Sequence, residues 1–301
     1  MLQCISCGFE LPEVFNSIAC PKCSNDELHN WLYSTSLKNF EYKATPLTKY
    51  DKNTWLKRED SSLLSGTFKD RKTSFLQSFL NKHLKQKFAL ASSGNMAISF
   101  SKLWAAIDSY HKCAYRFSHG TYLWVSPDIS HQKLQILQKA YPEINFTDKI
   151  LSTEELTLGE ADRWNITNGM DPIGASAYYS LGLELEPCNL DNIIVPCGSG
   201  ELYSALAVYF GILRKQYKVN VIPVTSKLPE ADAIKTDFVA CQPFLNSFGE
   251  CKNSHVINDA EKLKYYSDTY NCEYSSAVVF AAYEQLKPAG RTCLIITGAK
   301  R

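Results

Sequence analysis

Between Thr54 and Thr297 the chain alternates short apolar runs with longer stretches whose apolar residues recur at helical spacing. This alternation constrains the fold more than any other feature. Strand, helix and returning strand form a parallel crossover, so repeated units build a mostly parallel sheet with helices on both faces. The runs NIIVPC (192–197) and TCLIIT (292–297) are apolar throughout, as strands covered on both faces require. Further strands are predicted at TWLKR (54–58), KFALAS (87–92), YLWVSP (122–127), RWNIT (163–167) and KVNVIPVTS (218–226). Helices are predicted over 69–85, 95–110, 130–140, 172–185, 201–216, 259–270 and 275–287. Phe75, Leu76, Phe79, Leu80 and Leu84 form the apolar stripe of the first. Residues 24–45 and 227–256 lack clear periodicity and read as linkers.

Length and charge narrow the partners. A chain of 301 residues, 45% hydrophobic and 21% charged, is long enough for two domains or one lobed body. Its 32 basic and 31 acidic residues leave a net charge of +1, which argues against nucleic acid or a membrane surface as a charge-driven partner. No apolar run approaches the ~18 residues of a membrane span. The start MLQCISCG has neither the basic nor the apolar part of a signal peptide, so a cytoplasmic protein is expected.

Four of the eleven cysteines, Cys4, Cys7, Cys20 and Cys23, read C-x2-C-x12-C-x2-C. Two such knuckles can set four thiolates tetrahedrally around zinc at about 2.3 Å, as in a zinc ribbon. Reduced cytosolic thiols make disulfides a poor reading, and two pairs so close make a redox CxxC equally poor. Four protein ligands leave no open position, so the expected Zn2+ is structural. The other seven cysteines are scattered and read as small core residues, and the six histidines show no ligand spacing.

In parallel sheets ligands bind beyond the carboxyl ends of the strands, so the strand-to-helix loops carry the chemistry. Three stand out: SGTFKDR (65–71), SSGN (92–95) and GSG (198–200). The first sets Lys69 at a helix start. The third exposes backbone N–H groups at a helix N-terminus, where phosphate binds readily.

In this order the motifs resemble the fold type II pyridoxal-phosphate enzymes, the tryptophan synthase beta family. The resemblance runs from about Trp55 to Lys300 through WLKREDSSLLSGTFKDR, ALASSGNMA, VPCGSGELYSAL, CEYSSAVVFAAYEQL and CLIITGAK. It implies a two-lobed α/β fold with mostly parallel sheets behind a small N-terminal Cys4 zinc ribbon. The implied divisions are a ribbon over 1–30 and a catalytic body over 31–301. Within the body, 61–162 would form a smaller mobile lobe, and 31–60 with 163–301 a larger one. The implied cofactor is pyridoxal 5'-phosphate, held by Lys69, which also moves protons at the substrate's α-carbon. Asn95 would hydrogen-bond the ring hydroxyl. Gly198, Ser199, Gly200, Glu201 and Leu202 would cradle the phosphate, and Thr297 would face the pyridine nitrogen. Ser92, Ser93, Gly94, Asn95 and Met96 would hold the carboxylate of a small amino-acid substrate. A homodimer is expected on the same ground.

The Cys4 ribbon and the Thr-Gly-x-Lys ending are most like threonine synthase, which implies loss of a phosphate-type leaving group and addition of water. Beta-replacement or dehydration of a serine- or cysteine-type substrate is the alternative, and a non-catalytic binding protein the second. Three positions depart from the family pattern: Leu63-Leu64 replace its Asn-Pro, Ile173 precedes Gly174 where Glu is usual, and the phosphate loop reads GSGE. Glu201 would set a negative charge beside a phosphate unless its side chain points away.

Overall fold

The computed structural model describes residues 2–4, 7, 10–11, 22–24, 31–33, 42–80, 87–92, 94–110, 121–125, 129–140, 145–146, 163–165, 174, 176–234 and 253–300. Its first strands are β1 (Leu2–Cys4), β2 (Glu10–Leu11), β3 (Trp31–Tyr33), β4 (Leu47–Lys49) and β5 (Thr54–Arg58). Helix α1 (Lys69–Leu80) leads to β6 (Lys87–Ser92), α2 (Asn95–Tyr110), β7 (Thr121–Val125), α3 (His131–Ala140), β8 (Asn145–Phe146) and β9 (Arg163–Asn165). Then come α4 (Tyr179–Leu185), β10 (Asn192–Pro196), α5 (Glu201–Val208), β11 (Asn220–Thr225) and β12 (His255–Val256). Helices α6 (Ala260–Tyr270) and α7 (Tyr274–Leu286) precede the last strand, β13 (Thr292–Ile296).

The larger sheet runs β12–β11–β10–β13–β5–β4, parallel except for β4. Every residue of β10 and β13 is buried. Successive side chains of a strand point to opposite faces, and this divides the core in two. Ile193, Val195, Cys293 and Ile295 pack with α4 and α5, while Ile194, Leu294 and Ile296 pack with α6 and α7. The four-stranded sheet, β8–β7–β6–β9, is parallel throughout. Its core joins Leu90 and Val125 to Leu76 of α1, Leu137 of α3 and the first turn of α2. A third sheet, β2–β1–β3, is antiparallel and holds Cys4 at the end of β1.

Several elements differ from the sequence expectation. Strand β4 was not expected because all three of its residues are exposed on an antiparallel edge, without an apolar pattern to mark it. Strand β3 pairs with β1, and β9 pairs with β6. The helix expected over 201–216 holds α geometry to Val208, then widens into a π turn at Tyr209–Leu213. There Tyr209 lies against Gly182, where an added Cβ would come within 2.4 Å of the ring, and donates a 2.5 Å hydrogen bond to Glu186. Within the helix expected over 172–185, a 3-10 turn at Ser176–Tyr178 leads into α4 at Tyr179, and residues 172, 173 and 175 lie outside the described residues. Residues 81–86, at the end of the first predicted helix, lie outside the described residues.

Candidate active site

The site forms where three helix starts meet the carboxyl end of β13. The Thr297 carbonyl accepts from Phe68 N–H at 2.9 Å, which sets the chain entering α1 against the end of β13. The Asp70 carboxylate fixes the preceding loop. It accepts from the N–H groups of Leu64 and Ser65 at 2.9 and 2.8 Å, and from the Ser65 and Ser99 hydroxyls at 2.5 and 2.6 Å. Of Leu63 and Leu64, the second therefore shapes this loop through its backbone bond to Asp70, while the Leu63 side chain is exposed.

Lys69 opens α1 with its side chain buried. Its Nζ lies 4.1 Å from the Phe68 ring centre and 6.0 Å from that of Tyr178. Burial pulls its pKa from 10.5 to about 8, against the opposing charge of Glu201 and with help from Lys72, while Glu273 pushes it back up. The result is a lysine that loses its proton near physiological pH, as a nucleophilic amine requires.

The glycine loop follows β10. An added Cβ at Gly198 would lie 2.6 Å from the Ala233 carbonyl oxygen, and Gly200 has φ +85°, so side chains are resisted at both positions. Helix α5 begins at Glu201, and its first-turn N–H groups have no intrahelical acceptor. The Glu201 side chain points inward. Its carboxylate accepts from Lys72 Nζ at 2.8 Å and lies 4.0 Å from Lys69 Nζ. Oxygen Oε2 is buried and has no hydrogen-bond partner among the described residues. Leu202 packs into the core, so only its backbone is available to the loop.

At the start of α2, Ser92 Oγ accepts from the N–H groups of Gly94 and Ala97 at 3.0 and 3.1 Å, which leaves its hydroxyl proton to donate. Asn95 Nδ2 donates to Glu273 Oε2 at 3.0 Å, joining the smaller sheet's first helix to the residue before α7. The Met96 side chain is buried in the smaller core. Ser93 lies outside the described residues. Thr297 Oγ1 is 3.0 Å from Ser276 Oγ, which also accepts from the N–H groups of Thr297 and Gly298. A cleft of about 310 Å³ reaches Glu273 between α3 and the loop after β11. Across its mouth Lys133 of α3 pairs with Asp232 at 2.6 Å.

Lys72, Glu273, Tyr178 and Ser276 join the site without having been expected there. Two of them left a trace in the sequence: Lys72 lies one helical turn beyond Lys69, and Glu273 opens the small-residue helix of CEYSSA. At the N-terminus the thiols of Cys4, Cys7 and Cys23 come within 4.8 Å of one another, Cys4 and Cys23 at 3.7 Å. Cys20 lies outside the described residues.

Solved structures share this fold. Maize serine racemase superposes with a TM-score of 0.66 at 18% identity, over 86% of this chain and 89% of its own. An O-acetylserine dependent cystathionine beta-synthase from Helicobacter pylori gives 0.63 at 20%, over 89% and 96%. The processed form of threonine deaminase isoform 2 from Solanum lycopersicum gives 0.63 at 18%, over 86% and 84%. At such identities these establish the fold. No curated protein matches the sequence. The sequence model of the pyridoxal-phosphate dependent enzymes matches residues 39–248, so the chain belongs to that family.

The residues present fit the family's cofactor. Lys69 would offer a buried amine to its aldehyde, Asn95 and Thr297 polar groups to its ring, and the start of α5 backbone donors to its phosphate. The Glu201 carboxylate at the start of α5 has the wrong sign for a phosphate.

Proposed function

We propose that the chain is a pyridoxal-phosphate-dependent enzyme of elimination or replacement, acting on a small amino acid. The observation that carries this reading is Lys69: buried, near neutral, and flanked by the Asn95 and glycine loops. Bound there, pyridoxal phosphate supplies an aldehyde for the substrate amine and an electron sink for charge developing at its α-carbon. Lys69 then holds and returns the proton at that carbon. The loop 92–96 orients the substrate carboxylate through backbone N–H groups and the Ser92 hydroxyl. Thr297 would face the ring nitrogen with a hydroxyl, which, unlike a carboxylate, would not hold a proton on it.

The first reading is threonine-synthase-like: loss of a phosphate-type leaving group and addition of water. It rests on the cysteine pattern, for which we propose a structural Zn2+ held by Cys4, Cys7, Cys20 and Cys23. A second reading is beta-replacement or dehydration of a serine- or cysteine-type substrate, and one structural relative is an O-acetylserine dependent synthase. The cleft favours it. Its cations Lys133 and Lys300 are paired with Asp232 and Asp268, leaving neither ready for a substrate phosphate.

Incubating the purified protein with pyridoxal phosphate and borohydride should fix one adduct on the Lys69 peptide, and Lys69→Ala should remove both adduct and visible absorption. An adduct elsewhere sinks the assignment. A panel of O-phospho, O-acetyl and free hydroxy amino acids, read by phosphate, acetate or keto-acid release, then separates the two readings.

A further inference from the structure

Lys69 and Lys72 lie one turn apart on α1, and both face the carboxylate that opens α5. Lys72 and Glu201 have no exposed side-chain surface, and they meet at 2.8 Å. Glu201 Oε2 lies 4.0 Å from Lys69 Nζ, within the space that any molecule joined to that amine must share. It is also the buried carboxylate oxygen that lacks a hydrogen-bond donor. A carboxylate at two helix starts is in a favourable field. It therefore sets a buried negative charge beside the amine and at the start of α5.

We propose that Glu201 is an internal anion standing in the phosphate subsite, and that Lys72 is the cation a bound phosphate takes over from it. The proposal rests on the reading that Lys69 holds pyridoxal phosphate. An incoming phosphate must draw Lys72 away from Glu201 and turn or protonate the displaced carboxylate, because two unpaired anions in a buried site repel strongly. The backbone donors of residues 198–202 are shared by any anion bound there. Lys72 is what the two anions contend for.

The test titrates purified protein, stripped of bound aldehyde, with pyridoxal and with pyridoxal phosphate, following the Lys69-dependent absorption. In the wild type the phosphate should improve affinity by no more than about tenfold, far less than a buried charge-assisted site allows. Glu201→Gln keeps an acceptor for Lys72 but removes the charge. It should tighten pyridoxal phosphate by roughly tenfold or more and leave pyridoxal within about twofold. Lys72→Met combined with Glu201→Gln should lose that gain. Equal changes for both aldehydes, or no change for either, overturn the internal anion. A double variant that keeps the gain overturns the role of Lys72. If Glu201→Gln does not fold, a wild-type preference for the phosphorylated aldehyde well above about a hundredfold overturns the proposal alone. Absence of Lys69-dependent absorption with both aldehydes instead defeats the cofactor reading on which the proposal rests.

Discussion

Lys69, Asp70, Arg71 and Lys72 are consecutive, charged and buried, yet the two sides of this helix turn handle charge in opposite ways. On one side, all five N–H donors of Arg71 find acceptors. Glu59 takes two at 2.7 Å, and Ser180, Glu184 and Thr45 take the rest at 2.9, 2.6 and 3.3 Å. Lys57 closes the set by pairing with Glu184 at 2.5 Å. Burial disfavours the Arg71 charge, but Glu59 and Glu184 outweigh it and raise the pKa. On the other side, Lys69 and Lys72 share Glu201, an oxygen of that carboxylate lacks a donor, and the Lys69 pKa falls to about 8. A closed network stabilises one arrangement. An open one keeps a reactive group ready for a ligand to complete it.

The largest effect should come from opening the closed side. Arg71→Met leaves Glu59 and Glu184 buried without their main partner, and breaking such a set costs about 3–5 kcal/mol. The melting temperature should fall by roughly 10 °C. Lys69→Met removes a cation whose charged form is penalised by burial, so it should hold or raise the melting temperature. If both variants melt alike, the contrast between the two sides is wrong.

A titration sharpens the same contrast. Lys69 is exposed to Glu201 from α5, Lys72 from its own helix and Glu273 from the start of α7. Its folded pKa is lowered, so the cost of burying its charge is full below about pH 8. That cost fades as pH rises toward the unfolded value of about 10.4, and this group's contribution to stability rises with pH over that window. The rate at which apo protein captures a small aldehyde at Lys69 should rise with pH to a midpoint near 8. Glu201→Gln removes the chief opposing charge and should move that midpoint lower. A wild-type midpoint near that of a free lysine would mean that the amine is solvated.

The parallel body was legible because β10 and β13 are apolar at every position, a pattern that burial on both faces imposes. The turn between β10 and α5 was legible because the backbone there admits few alternatives: Gly198 abuts a carbonyl and Gly200 has positive φ. The direction of the Glu201 side chain was not, since it depends on Lys72, which is 129 positions away in sequence. Glu273 lay hidden for the same reason. Its partner Asn95 is 178 positions distant, and nothing local distinguishes an inward carboxylate from a surface one. Strand β4 was invisible because an exposed edge places no demand on its side chains.

The smallest effect on the body should come from a third polar cluster, the N-terminal thiols. Cys4, Cys7 and Cys23 already converge within 4.8 Å, and four thiolates around zinc would form a set as closed as that of Arg71, with metal in place of guanidinium. Such a set stabilises its own segment, because metal binding to a site absent from the unfolded chain is itself folding free energy. Strand β1 pairs only with β2 and β3 among the described strands, so that stabilisation should stay local. Cys23→Ser should therefore release about one zinc per chain and expose the first residues to protease. The melting temperature of the body and the absorption at Lys69 should barely move. Metal analysis with thiol titration decides it: wild-type protein without zinc, its four thiols freely reactive, rules out a closed site there. A Cys23→Ser body that melts as early as Arg71→Met would show instead that the cysteine cluster belongs to the same cooperative unit as the rest of the chain.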